Sequence, residues 1–205
     1  MIILSTLIIS TVVCSGISIV FYSLYNGISP MPTSPKVKHQ VLDVLSENET
    51  QGTIYELGSG WGTLAFAIAK RFPKCQVTAY ENSLVPYIHT QIYKFFIRTN
   101  NLNIKRENFF NALLSQANTI VCYLSTDIMV RLQPKLESEL QKETLVVTNT
   151  FALPSWTPQQ TIETEDLYRT KIHIYVNQKK AKKNQEIEYG LDQNYTMVCG
   201  KQTVA

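Results

Sequence analysis

No charged side chain occurs from Ile2 to Pro35. This run constrains the chain more than any other segment, because so long an apolar stretch has to be taken out of water somewhere. Its first part, Ile2 to Tyr25, is dominated by Ile, Leu, Val and Phe, with Ser and Thr interspersed. A helix rising ~1.5 Å per residue over that length covers a hydrocarbon core of roughly 30 Å. Ser and Thr fit such a helix because their hydroxyls bond back to its own carbonyls. A helix buried in a soluble core would carry a polar face, and this one has none. A cleaved signal peptide would have a basic start and a shorter apolar stretch. A lipoprotein signal at Cys14 would need a small residue where Val13 stands. The run therefore reads as a retained transmembrane anchor, with residues 2–25 in contact with lipid. Lys36 and Lys38 follow it, so the remainder is expected on the cytoplasmic side of a single-pass membrane protein, at the inner membrane in a bacterium.

The segment 26–35 is a proline-rich linker, and 36–205 has the length of one domain with its own core. Of the 205 residues, 44% are hydrophobic and the net charge is +3, too mild to call for nucleic acid. The four cysteines form no CxxC pair, and the three histidines lie far apart, so neither a metal centre nor a redox motif is expected.

Ser34 followed by Pro35 reads as a helix cap and first helical residue, with Val37, Val41 and Leu45 recurring every four positions. After Gly52 the chain alternates. Strands are expected at 53–57, 76–80, 103–106, 119–124 and 144–149. Helices are expected at 62–72, 83–98 and 127–141. In the second of these, Val85, Ile88, Ile92 and Phe95 form the apolar stripe. Such alternation predicts an α/β, Rossmann-like, doubly wound and mostly parallel sheet. No helix is apparent between Phe151 and a strand at 171–176. A last edge strand is expected at 196–199, and the basic run 179–183 between them reads as a solvated hairpin loop.

The stretch Tyr55-Glu56-Leu57-Gly58-Ser59-Gly60-Trp61-Gly62 joins the first strand to the first helix. Glycines suit a sharp turn against which a ligand packs, and the helix N-terminus behind them offers free N–H groups. The spacing is G-x-G-x-G and not the dinucleotide G-x-G-x-x-G. Glu56, two residues before the first glycine, would repel a pyrophosphate but suits a ligand bearing an ammonium group, such as S-adenosylmethionine. Glu81 ends the second strand 19 positions after Gly62, near the spacing of an acid that holds ribose hydroxyls.

At these residues the chain resembles class I, seven-stranded, S-adenosylmethionine-dependent methyltransferases: "YELGSGWG" is similar to their first motif and "AYE" to their second. It is further similar to the membrane-anchored protein-lysine methyltransferases of mitochondrial type. These share an N-terminal hydrophobic segment, a proline stretch like Pro30-Met31-Pro32-Thr33, and one like Phe151-Ala152-Leu153-Pro154-Ser155-Trp156. Trp61 stands where that family usually carries Asp. The resemblance implies that Gly58, Ser59, Gly60 and Gly62 shape the cofactor turn and that Glu56 orients the methionine amino group. It implies that Glu81 with Asn82 takes the ribose, and that Asn108 with Phe109 borders adenine, with Glu107 as the alternative to Asn108. It makes Pro32, Thr33, Pro154 and Trp156 candidates for holding the acceptor.

Open α/β sheets bind ligands at the carboxyl ends of their strands. On that ground Tyr123, Ser125 and Trp156 are the catalytic candidates. The expected activity is methylation of a lysine on a membrane or membrane-adjacent protein. Methylation of a small molecule or lipid, and cofactor binding without catalysis, are the alternatives. A nicotinamide oxidoreductase is disfavoured by the glycine spacing and by Glu56.

Overall fold

The structure is a computed structural model that describes residues 2–27 and 31–178. The elements are α1 (Ile2–Asn26), α2 (Pro35–Glu47), β1 (Thr53–Leu57), α3 (Thr63–Arg71), β2 (Gln76–Tyr80), α4 (Leu84–Ile97), β3 (Leu102–Lys105), β4 (Thr119–Cys122), α5 (Thr126–Glu139), β5 (Leu145–Asn149), β6 (Gln160–Glu163) and β7 (Lys171–Val176). One short 3-10 turn covers Phe109–Asn111.

The sheet has seven strands in the order β3-β2-β1-β4-β5-β7-β6. The five strands from β3 to β5 pair in parallel, and β7 runs antiparallel to both β5 and β6. The order reverses between β1 and β4, so their carboxyl ends open a crevice for a ligand. Both faces are covered. Side chains of β1, β2 and β5 such as Ile54, Val77 and Val147 pack with Val41 and Leu45 of α2 and Leu64 and Ile68 of α3. Leu57, Tyr80 and Val146, an odd number of positions away on the same strands, point the other way, onto Met129, Leu132 and Leu136 of α5. Period-two alternation between two helical layers explains why β4 and β5 are buried at every position.

The parallel core follows the sequence closely. Ser34 caps α2 by accepting the Val37 N–H, with Pro35 behind it. Strand β6 and the placement of α4 add to that reading. Strand β6 was not expected: its four residues lie at the sheet edge, three of them exposed, so no apolar alternation announces it. The strand expected at 196–199 and the loop at 179–183 lie outside the described residues. In α4 the apolar stripe faces out: Ile88, Ile92 and Phe95 are exposed, and Pro86 and Thr90 are the buried positions. The reason is local. Gln91 Nε2 donates to the Ile104 carbonyl, and Thr90 sits against the glycine turn, so the small and polar side of α4 makes the close approach.

Candidate functional site

The β1–α3 turn is built by backbone that an ordinary residue does not adopt. Gly58 and Gly62 have φ of 75° and 74°. Their reasons differ. A Cβ at Gly58 would meet Leu124 Cδ2 at 2.8 Å, inside the crevice. A Cβ at Gly62 would meet Thr90 Cγ2 at 2.7 Å and Phe66 at 3.0 Å, so that glycine serves the packing of α3 against α4. Gly62 is not among the residues that line the crevice, whereas Gly58, Ser59 and Gly60 are.

Two carboxylates hold the turn. Glu81 is buried at the end of β2; its Oε2 accepts the Gly60 N–H at 2.7 Å and its Oε1 the Ser83 N–H at 2.7 Å. Glu81 therefore braces the turn as well as facing the crevice, a role the sequence did not suggest. Glu56 is also buried, and its Oε2 has no hydrogen-bond partner. Burial, and next the charge of Glu81, push the Glu56 carboxyl up to about 8, against a backbone hydrogen bond from Ala65 that lowers it. Ser59 Oγ is buried without a partner as well. Buried polar atoms are normally paired. Two unpaired ones in one crevice fit a ligand carrying an ammonium group and a further donor or acceptor.

The other walls come from separate elements. Asn82 and Ser83 follow β2, and Asn108, Phe109 and Phe110 follow β3. Asn108 caps the 3-10 turn by accepting the Phe110 N–H at 3.0 Å, which sets Phe109 and Phe110 at the crevice. Tyr123, at the carboxyl end of β4, lines the crevice and stacks on Phe151 with ring centres 6.4 Å apart. Met31 and Thr33 of the linker complete it, and the Thr33 N–H donates to Thr63 Oγ1 at 3.2 Å. The linker is thus part of the wall. Sequence reasoning missed Met31, Tyr80, Phe110, Ile128 and Arg131. Arg131 lies 4.8 Å from the Phe110 ring centre, so a basic residue that reads as the solvent face of α5 closes one side. Nothing in the local pattern marks it.

Other candidates lie apart. Pro32 faces a neighbouring groove with Lys38, Trp61, Thr63, Phe66, His89 and Tyr93. Ser125 precedes α5 and is not part of the lining. Trp156 donates its indole N–H to Glu137 Oε1 at 2.9 Å and packs on Tyr175, outside the crevice, and Pro154 is exposed nearby. Among the described residues no group of three His, Cys, Asp or Glu side chains is placed to hold a metal.

Comparison with known proteins agrees with this geometry. The family model described as the ANTKMT methyltransferase domain matches residues 56–160. A protein-lysine N-methyltransferase of Saccharolobus islandicus (strain REY15A) is 30% identical over 138 residues, covering 66% of this chain and 84% of that protein. Among solved structures, an RNA methyltransferase from Salinibacter ruber in complex with S-adenosyl-L-homocysteine superposes with a TM-score of 0.63 at 21% identity, over 75% of this chain and 98% of that one. Precorrin-6y C5,15-methyltransferase from Geobacter metallireducens does so with a TM-score of 0.54 at 11% identity, over 73% of this chain and 94% of that one. At such identities the two structures speak for the fold.

Proposed function

The chain belongs to the family of the ANTKMT methyltransferase domain, and from that premise we propose that its acceptor is a lysine side chain of a protein at a membrane surface, with α1 as the membrane anchor. The enzyme is an S-adenosylmethionine-dependent methyltransferase with a Rossmann-like fold. The observation that carries the lysine reading is the likeness to a protein-lysine N-methyltransferase over most of that protein's length. The membrane reading is supported by the apolar helix Ile3–Leu24, none of which is buried in the protein.

The cofactor, when bound, supplies a methyl group on a positively charged sulfur. The protein's own groups do the rest by binding and orientation. Glu56, with its free Oε2 under the turn, would hold the ammonium group of the methionine portion. Glu81 would offer its carboxylate to the ribose hydroxyls while keeping its bonds to Gly60 and Ser83. Phe109 and Phe110 would flank the adenine, with Asn108 fixing their turn.

The acceptor amine must be neutral to react, and a free lysine has a pKa of about 10.4. Desolvation favours the neutral form. The stacked pair Tyr123 and Phe151 would form an apolar, π-rich entry that guides the ammonium in and strips its water. The Tyr123 hydroxyl would then hold the amine in line with the methyl group. Pro32 and Thr33 would contact the acceptor protein at the rim.

The test is incubation of purified membranes with the full-length enzyme and isotope-labelled methyl donor. Label recovered as methyl-lysine in protein supports the proposal; label in the lipid extract with none in protein refutes it in favour of lipid methylation.

A further inference from the structure

Among the described residues, nothing covers the outward face of α4. Ile88, Ile92, Phe95 and Phe96 are 46, 56, 79 and 75% exposed. At ~100° per residue these positions share the side of the helix opposite Pro86 and Thr90, which are buried. Four large apolar side chains on one outward stripe of a 14-residue helix form a contiguous patch, not scattered exposure. Helix α1 packs against α4 as well. In α1 the partly covered positions are Ser15, Ser18, Ile19, Tyr22 and Ser23, one side of that helix; the other sides are exposed and apolar. An exposed apolar surface on α1 therefore accompanies the one on α4.

Charge points the same way. From Ser83 to Arg106 there is no acidic side chain, and Lys94 in α4 and Arg98 just after it are basic. The groove beside α4 is lined by Trp61, Tyr93 and Lys38, side chains suited to a headgroup boundary. An acid-free segment with an aromatic and aliphatic outer face suits an anionic lipid surface.

We propose that the outer face of α4 lies in the headgroup–acyl boundary of the bilayer as a second membrane contact beside the α1 anchor. This rests on the reading of α1 as a membrane span. Two contacts, one a span and one a helix lying in the surface, would fix the orientation of the domain, where a span with a linker alone would leave it free to turn. The bilayer is favoured over a second copy of the chain because α4 packs against the helix that the proposed function places in lipid, and because its segment carries no acid.

The test uses the full chain in vesicles of phosphatidylcholine and phosphatidylserine. With Cys14→Ser and Cys199→Ser in place, Cys75 and Cys122 are buried, so a polarity-sensitive fluorophore can be placed at Phe95→Cys, at Phe96→Cys, or at Lys70→Cys on the exposed end of α3. The expected result is a several-fold loss of emission at 95 and 96 when spin-labelled lipid is included, and no loss at 70. A parallel sample labelled at the native Cys14 reports on the anchor. Quenching at 14 without quenching at 95 or 96 overturns the proposal and leaves the anchor standing. Quenching at none of them overturns the anchor reading and this proposal with it. A label at 95 that is shielded from water but untouched by spin-labelled lipid, in a protein of dimeric mass, also overturns it and assigns the face to a second copy.

Discussion

Glu56 carries the clearest electrostatic consequence at the scale of single residues. Its carboxyl is raised to about 8 in the folded protein, chiefly by burial. A folded-state value above the unfolded one means the native protein binds the proton more tightly. The stability this contributes is complete below about pH 4.5 and is lost as pH rises through about 8. Glu56→Gln should therefore raise the melting temperature of the ligand-free enzyme at pH 8 more than at pH 4, as a pair of thermal scans would show. The same variant should bind S-adenosylmethionine at least tenfold more weakly, because the ammonium loses its partner. In the native enzyme a cationic ligand draws the carboxyl back toward ionisation. Calorimetry near pH 7 in buffers of different ionisation enthalpy should show proton release on binding. Glu81→Ala is expected to weaken cofactor binding by about 1.5–3 kcal/mol. Because it also frees the Gly60 and Ser83 N–H groups, it should lower the melting temperature, an effect absent if Glu81 served the ribose alone.

At the scale of elements, the two ends of the glycine turn have separable jobs. Gly62→Ala forces a Cβ against Thr90 and Phe66 at a backbone angle of 74°. It should destabilise the fold by about 1–3 kcal/mol in urea titration. Gly60→Arg should instead abolish methyl transfer with a smaller loss of stability, since Gly60 lines the crevice. Comparable losses of stability in both would place the two glycines in one role. The turn was legible because its glycines, Glu56 and Glu81 lie close along the chain. The α4 register was only half legible. Its apolar stripe at 88, 92 and 95 is plain, but a helical period does not say which face meets the sheet when both faces have something to bury.

For the whole molecule, the linker separates two readings of the N-terminus. A chain beginning at Ser29 keeps Met31 and Thr33, which line the crevice. It should bind cofactor like the full-length enzyme while methylating the proposed membrane acceptor more slowly, since confinement raises the acceptor's effective concentration. A chain beginning at Pro35 loses that wall and the bond from Thr33 to Thr63. It should bind cofactor several-fold more weakly in the same titration. Equal affinities of the two truncations would show that the linker is only a tether.

The sequence by itself determined the parallel core, because strand and helix periods, caps and the glycine spacing are local properties readable within ten or twenty residues. It also determined the long apolar helix at the N-terminus, by length and the absence of charge. Only the tertiary structure decided what depends on distant segments meeting. Arg131 of α5 and Met31 of the linker reach the crevice from distant parts of the chain. Trp156 is drawn away from it by Glu137, and edge strand β6 forms because β7 offers it backbone partners. The outward turn of α4 belongs there too: Thr90 fits against Gly62, which leaves Ile92 and Phe95 on the exposed side.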